Sequence, residues 1–261
     1  MGEGERVVAW RPELTGIREV LHARFTEHAY PLHTHAAWTL LLIDEGAVRY
    51  ALDRHEHAAT ASLVTLLPPG VPHDGRAATG RGFRKRVLYL DPDALEPSLI
   101  GAAVDRPALA DPALHRHIDA LHAVLAGRPE PLEAQSRLAL IQQLLRARLR
   151  AVPVPPPDPG LAADLRDLLD SRIRQGLTLA EAAALLHAHP AHLVRAFTAR
   201  YGLPPHRYLT GRRVDLARTL LLAGLPPAEA ATRAGFYDQP HLTRHFRRTL
   251  GVTPARYARA R

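Results

Sequence analysis

The stretch 192-HLVRAFTARYGLPPHRY-208 returns, 49 positions later, as 241-HLTRHFRRTLGVTPARY-257. His192, Leu193, Arg195, Phe197, Gly202, Pro205 and Tyr208 pair in order with His241, Leu242, Arg244, Phe246, Gly251, Pro254 and Tyr257. Upstream the match continues at an offset of 48, with Glu181-Ala182-Ala183 against Glu229-Ala230-Ala231. Seven coincidences at one period argue for a duplicated supersecondary unit.

Each copy reads as a short helix, a tight turn and a second helix. Thr178 and Glu181 make a capping box for the first copy. In the second, Gly235 lets the chain turn at positive φ, and Asp238 is a fitting N-cap for a helix over 239–250. Leu193 with Phe197, and Leu242 with Phe246, lie four apart and must pack on the preceding helix. The faces left outward carry Ala191, Val194 and Arg195 in one copy, and Gln239, His241, Thr243 and Arg244 in the other. A helix held this way suits a DNA major groove. One long helix over 204–223 joins the copies, and reading successive grooves on one face of a duplex sets them roughly 34 Å apart.

Residues 177–258 resemble the double helix-turn-helix domain of AraC/XylS-type transcription regulators. The run from Ala234 through Gly235-Phe236-Tyr237-Asp238-Gln239-Pro240-His241 to Arg248, followed by Gly251-Val252-Thr253-Pro254-Ala255-Arg256-Tyr257, is close to that family's most recognisable stretch. His189 stands where the family usually has a serine cap. The resemblance implies a sequence-specific DNA-binding regulator. Arg195 and Arg244 can each bond a guanine's O6 and N7 together, and Gln239 can read adenine in the same way. His241 and Thr243 face base edges in this reading, Ala191 and Val194 offer methyl contacts, and Arg247 and Arg248 meet phosphate.

Charge divides the chain in the same place. Residues 161–261 hold 16 Arg, no Lys and 7 acidic residues, net +9; residues 1–160 are net −1, which sums to the +8 of the whole. Only one half is built to meet a polyanion. The absence of cysteine excludes disulfides and thiolate metal sites. No apolar run approaches a membrane span, and the N-terminal stretch lacks a signal-peptide core. A cytoplasmic protein without a membrane partner is expected.

From about Ile17 to Leu90 the pattern is strand-like: 19–25, 38–43, 47–52, 62–66 and 84–90, with turns at Asp44-Glu45-Gly46, Asp53-Arg54-His55 and Pro68-Pro69-Gly70. Short strands so spaced imply a sandwich or small barrel. His33-Thr34-His35 with Gly46, and Pro68-Pro69-Gly70-Val71-Pro72-His73, resemble cupin motifs and, more loosely, the sensor of AraC-type regulators. Thr39 stands where metal-binding cupins carry a carboxylate. Alternation puts His33, His35 and Thr39 on one face. With His73 they line an effector pocket, hold a divalent metal through the three imidazoles, or serve structure alone; no cofactor is expected.

From Asp111 the period turns helical. Leu114, Ile118, Leu121 and Leu125, then Leu138, Ile141, Leu145 and Leu149, give two amphipathic helices in a hairpin. Their stripes cover the barrel, or in part meet a second copy of the chain. Residues 151–160, with five prolines, read as a linker.

The expected architecture is α+β: a cupin-like β-barrel with a helical hairpin over 1–150, the linker, and an all-α domain with two helix-turn-helix units over 161–261. The expected function is transcription regulation, with double-stranded DNA, a small-molecule effector, RNA polymerase and a second copy as partners and no catalytic residues. The competing reading is a metal-dependent cupin enzyme, using His33, His35 and His73, that carries a DNA tether.

Overall fold

The computed structural model describes residues 5–127, 130–150 and 157–259. Contacts divide the chain into two compact units: Met1–Pro129 with Arg137–Val154, and Glu130–Ser136 with Pro155–Arg261. No helix among the described residues is long and apolar enough to cross a membrane.

The first unit is a barrel-like pair of sheets built from β1 (Arg6–Trp10), β2 (Ile17–Phe25), β3 (Ala29–His33), β4 (Trp38–Leu52), β5 (His55–Thr60), β6 (Val64–Leu67), β7 (His73–Ala77), β8 (Phe83–Leu90) and β9 (Ala108–Leu109). One sheet runs β1-β2-β8-β4-β6-β9, while β5 and β7 pair with β4 and β3 with β7. The interior is apolar, with Phe25, Leu41, Ile43, Val48, Tyr50, Leu52, Phe83 and Val87 packed together.

β4 corrects the sequence reading. Asp44-Glu45-Gly46 is a turn by its residue types, yet the strand runs on through it, with a register shift against β8 between Ile43 and Glu45. Before this bulge β4 pairs with β6 and β8; the β8 pairing runs on to Gly46, and from Ala47 β4 pairs with β5 and β7. A bulge bends a strand and raises its twist, so one strand serves both sheets. Gly46 sits at φ +72°, where an added Cβ would lie 2.2 Å from the Gly82 carbonyl oxygen. Only glycine permits that approach. The polar break marks an ion pair, since Asp44 lies 2.6 Å from Arg86 on β8. The reversal comes later, at Asp53 and Arg54, both at positive φ between the paired Leu52 and His55; two such residues make a two-residue hairpin turn whose twist matches the strands.

A short helix, α1 (Ile100–Asp105), precedes α2 (Pro112–Leu125) and α3 (Pro131–Arg150). Asp111 caps α2 by accepting from Ala113 and Leu114 amides and is held by Arg148 at 2.6 Å, so the two helices run antiparallel. α2 lies on the outer face of β2 and β8, where Asp119 meets Arg86 at 2.8 Å and His122 meets His22 at 3.2 Å. Leu114, Ile118, Leu121, Leu125, Leu138, Ile141, Leu145 and Leu149 are all buried within the single chain. The stripes therefore cover the chain's own core.

The second unit contains α4 (Pro159–Ser171), α5 (Leu179–Leu185), α6 (Pro190–Tyr201), α7 (Pro205–Leu222), α8 (Pro227–Arg233), α9 (Gln239–Leu250) and α10 (Pro254–Arg259), and takes in the opening of α3. Of the expected linker, residues 151–156 lie outside the described residues, and Pro159 and Gly160 already open α4 behind the Asp158 cap. Both copies of the repeat are built alike. Phe197 packs edge-on against Tyr208 at 5.4 Å, and Phe246 against Tyr257 at 5.3 Å. α5 closes with Ala188 N–H donating to Ala183, and α8 with Phe236 N–H donating to Ala231. In the same turn His187 (φ +48°) occupies the left-handed position that Gly235 (φ +85°) takes in the second copy, and the one-residue slip comes just after, between Ala188 and the His189 cap in the first copy and at Tyr237 in the second.

Candidate functional site

α9 is fixed from both ends and from below. Asp238 Oδ1 accepts the His241 amide at 2.7 Å, and Gly251 closes the helix at φ +76°. Leu242 and Phe246 are fully buried with Ala230, Ala231, Ala234 and Phe236. The rotation of the helix is thereby set, and residues at i, i+4, i+5 and i+8 share the opposite side. Gln239, Thr243, Arg244 and Arg247, with Pro240, accordingly line one open concave surface. Arg248 is exposed beside it.

His241 departs from the expected outward set. Its imidazole turns inward, 14% exposed, with Nε2 2.7 Å from Glu130 Oε1, and so does not reach toward a base edge. Helix periodicity leaves His241 at the rim of the outward face, and an inward carboxylate decides its direction.

α6 corrects the reading further. Its start holds, since His189 Nδ1 accepts the Ala191 amide at 3.2 Å, the bond a serine cap would make. Ala191 and Val194, expected outward, are buried. Packing on the preceding helix alone would leave them free, but α6 lies against α4 as well as α5. Arg195 is half-buried, 3.1 Å from His192 Nδ1, whereas its counterpart Arg244 is exposed. The second helices of the two copies, α6 and α9, share a frame but not a polar surface.

In the barrel the structure brings His33, His35, Thr39 and His73 together around one cavity of about 70 Å³. His33 Nδ1 lies 2.7 Å from the Pro31 carbonyl and His73 Nδ1 3.0 Å from that of Val71. Donation to those oxygens leaves each Nε2 facing the cavity. His33 and His35 meet through Nε2 atoms 3.2 Å apart. Burial, then the neighbouring His73, His33 and Lys85, pushes the His35 pKa down to about 4. Thr39 Oγ1 is buried with no hydrogen-bond partner.

Further polar lining residues escape the sequence reading, among them Tyr30, Asp74, Lys85 and Tyr89. Lys85, the only lysine in the chain, has Nζ 4.0 Å from the centre of the Tyr30 ring, and burial lowers its pKa to about 8. Alternation from the buried Val87 would have put residues 85 and 89 inside. Three imidazoles can ligate a divalent ion, but the position for a fourth, anionic ligand holds Thr39; the carboxylate that does line the cavity, Asp74, accepts from the Ala51 amide at 2.7 Å, and Lys85 adds an ammonium to the same lining. The donor set fits a neutral or anionic organic guest better than a dication.

Comparison with known proteins follows the same division. Residues 16–145 match the model of the AraC-like ligand binding domain, and residues 182–260 match that of a helix-turn-helix domain. The chain belongs to the AraC family of transcription regulators. The HTH-type transcriptional regulator YbfI of Bacillus subtilis is 26% identical over 82% of this chain and 81% of its own length. The arabinose operon regulatory protein of Escherichia coli is 25% identical over 74% of this chain and 70% of its own. The regulatory protein ada of Salmonella typhimurium is 36% identical over 31% of this chain and 23% of its own. The C-terminal domain of AraT, a response regulator from Geobacillus stearothermophilus, aligns with 39% of this chain and 85% of its own at 30% identity and a TM-score of 0.37. This regulator therefore joins an effector-binding domain to a DNA-binding one.

Proposed function

We propose that this regulator reads promoter DNA chiefly through α9, with Gln239, Thr243 and Arg244 at base edges and Arg247 and Arg248 on phosphates. Arg195 reads or positions from α6. The observation that carries this reading is the single open surface lined by Gln239, Thr243, Arg244 and Arg247 on a helix whose other side is locked in the core. Arg244→Ala is expected to weaken cognate binding by about 1–3 kcal/mol and binding to random sequence far less, measured by titration at fixed salt. Equal losses on both would remove base readout at that position.

Control comes from the barrel in this reading. His33, His35, Thr39, His73 and Lys85 recognise a small effector that carries acceptor or anionic groups. A cavity of about 70 Å³ is well below the ~300–1,000 Å³ of ordinary ligand pockets. Effector entry therefore opens the barrel, and that difference between two states is what an effector can exploit. The regulator works in the cytoplasm as a homodimer beside RNA polymerase, and acts by binding rather than by catalysis, as its relatives' descriptions as regulators support.

A further inference from the structure

The second unit holds a constellation that neither DNA reading nor effector sensing uses. Glu130 offers an oxygen and His241 and His245 a ring nitrogen each, and these ligand atoms all lie within 4.8 Å of one another. His241 and His245 sit four apart on α9, one turn over the next, the arrangement by which a helix presents two imidazoles to one ion. Their rings meet edge to face at 4.9 Å, and Phe236 packs against both. His245 Nε2 is buried and has no hydrogen-bond partner.

We infer that Glu130, His241 and His245 form a binding site for a divalent transition-metal cation, zinc being the best match. Two imidazoles and one carboxylate are a recurrent zinc set that leaves a fourth position for water or a further ligand. The barrel triad lacks a carboxylate, whereas here Glu130 supplies the anion. Its orientation is set from behind, because Arg213 NH1 lies 3.6 Å from Glu130 Oε2 while Arg213 Nε donates to the Ile173 carbonyl at 2.9 Å. Such outer partners aim a ligating carboxylate. The 2.7 Å between Glu130 Oε1 and His241 Nε2 is shorter than the roughly 3.3 Å between ligands of a tetrahedral ion with bonds near 2.0 Å. A small rotation of the Glu130 carboxylate opens it. Metal binding would tie the inward side of α9 to the segment that opens α3, so the ion sets the rigidity of the helix that carries Arg244.

The test uses the full chain, free of affinity tags and stripped with a chelator, in a His35→Ala background that disables the barrel triad. Zinc competition against a chromophoric chelator should show one ion per chain, and cobalt should give the intense visible bands of a tetrahedral site. Adding His245→Ala or, separately, Glu130→Gln should lower zinc affinity on the order of 10²-fold or more and bleach the cobalt spectrum. Circular dichroism of each variant checks folding; Glu130→Gln keeps the shape of the side chain should His245→Ala unfold. No zinc uptake by the His35→Ala chain, or uptake unchanged by both further substitutions in folded protein, overturns the site.

Discussion

His187 is an exposed residue with no part in the chemistry, yet it shows what the duplication left unequal. It stands at φ +48°, at the place where the second copy has Gly235. Left-handed backbone costs a residue with a Cβ about 1–2 kcal/mol, partly offset by the entropy a glycine loses on folding. His187→Gly should therefore raise stability by about 0.5–1 kcal/mol, read as a higher denaturant midpoint at unchanged slope; no gain would mean the position is unstrained. The reverse exchange is closed, because a Cβ on Gly235 would lie 2.6 Å from the Arg174 carbonyl oxygen. The repeat was legible because Phe, Tyr and Gly recur at fixed spacing for a packing reason. The directions of His241, Ala191 and Val194 were not, since each depends on a partner far away in sequence: Glu130 for the first, α4 for α6 as a whole.

At the level of elements, the helical hairpin was legible from its Leu and Ile spacing, and so was the use of its stripes as cover. What joins it to the sheet was not. His122, on α2, is almost wholly buried, and its Nδ1 meets His22 of β2 at 3.2 Å. Burial, then Arg86 and His22, drives its pKa down to about 3. Unfolded, the same group titrates near 6.5, so between these values the unfolded chain binds the extra proton and folding loses stability as pH falls. Melting temperature should thus decline on acidification below about 6.5, and less steeply in His122→Leu, by up to about 1.4 kcal/mol per pH unit. Parallel acid limbs in the two proteins would show that His122 accepts its proton without leaving the fold. The Asp44-Glu45-Gly46 break misleads for a related reason: a polar interruption in an apolar run marks a turn or a bulge equally well, and only the partner strand, with Arg86 and Gly82, decides between them.

For the whole molecule, the partition of charge matters more than its total. Residues 161–261 carry net +9 while the rest carries −1, so duplex affinity resides in one half and falls with salt. Arg247→Ala with Arg248→Ala should reduce the slope of log affinity against log salt by roughly 0.9 for each phosphate that is no longer neutralised, with similar effects on cognate and random duplexes. A slope that does not change would take both residues off the backbone. Division into a neutral half and a basic half was readable from composition; the membership of Glu130–Ser136 in the helical unit was not, because no local pattern announces it.

A chain with thirty-three arginines keeps one lysine, and keeps it within the barrel. Its amine, half deprotonated at a pH of about 8, is the single side-chain amine that an acylating reagent can meet. Acetylation kinetics at Lys85, followed by mass spectrometry, thus report on barrel opening from a natural probe, and a guest seated against His35 and Tyr89 should slow the labelling.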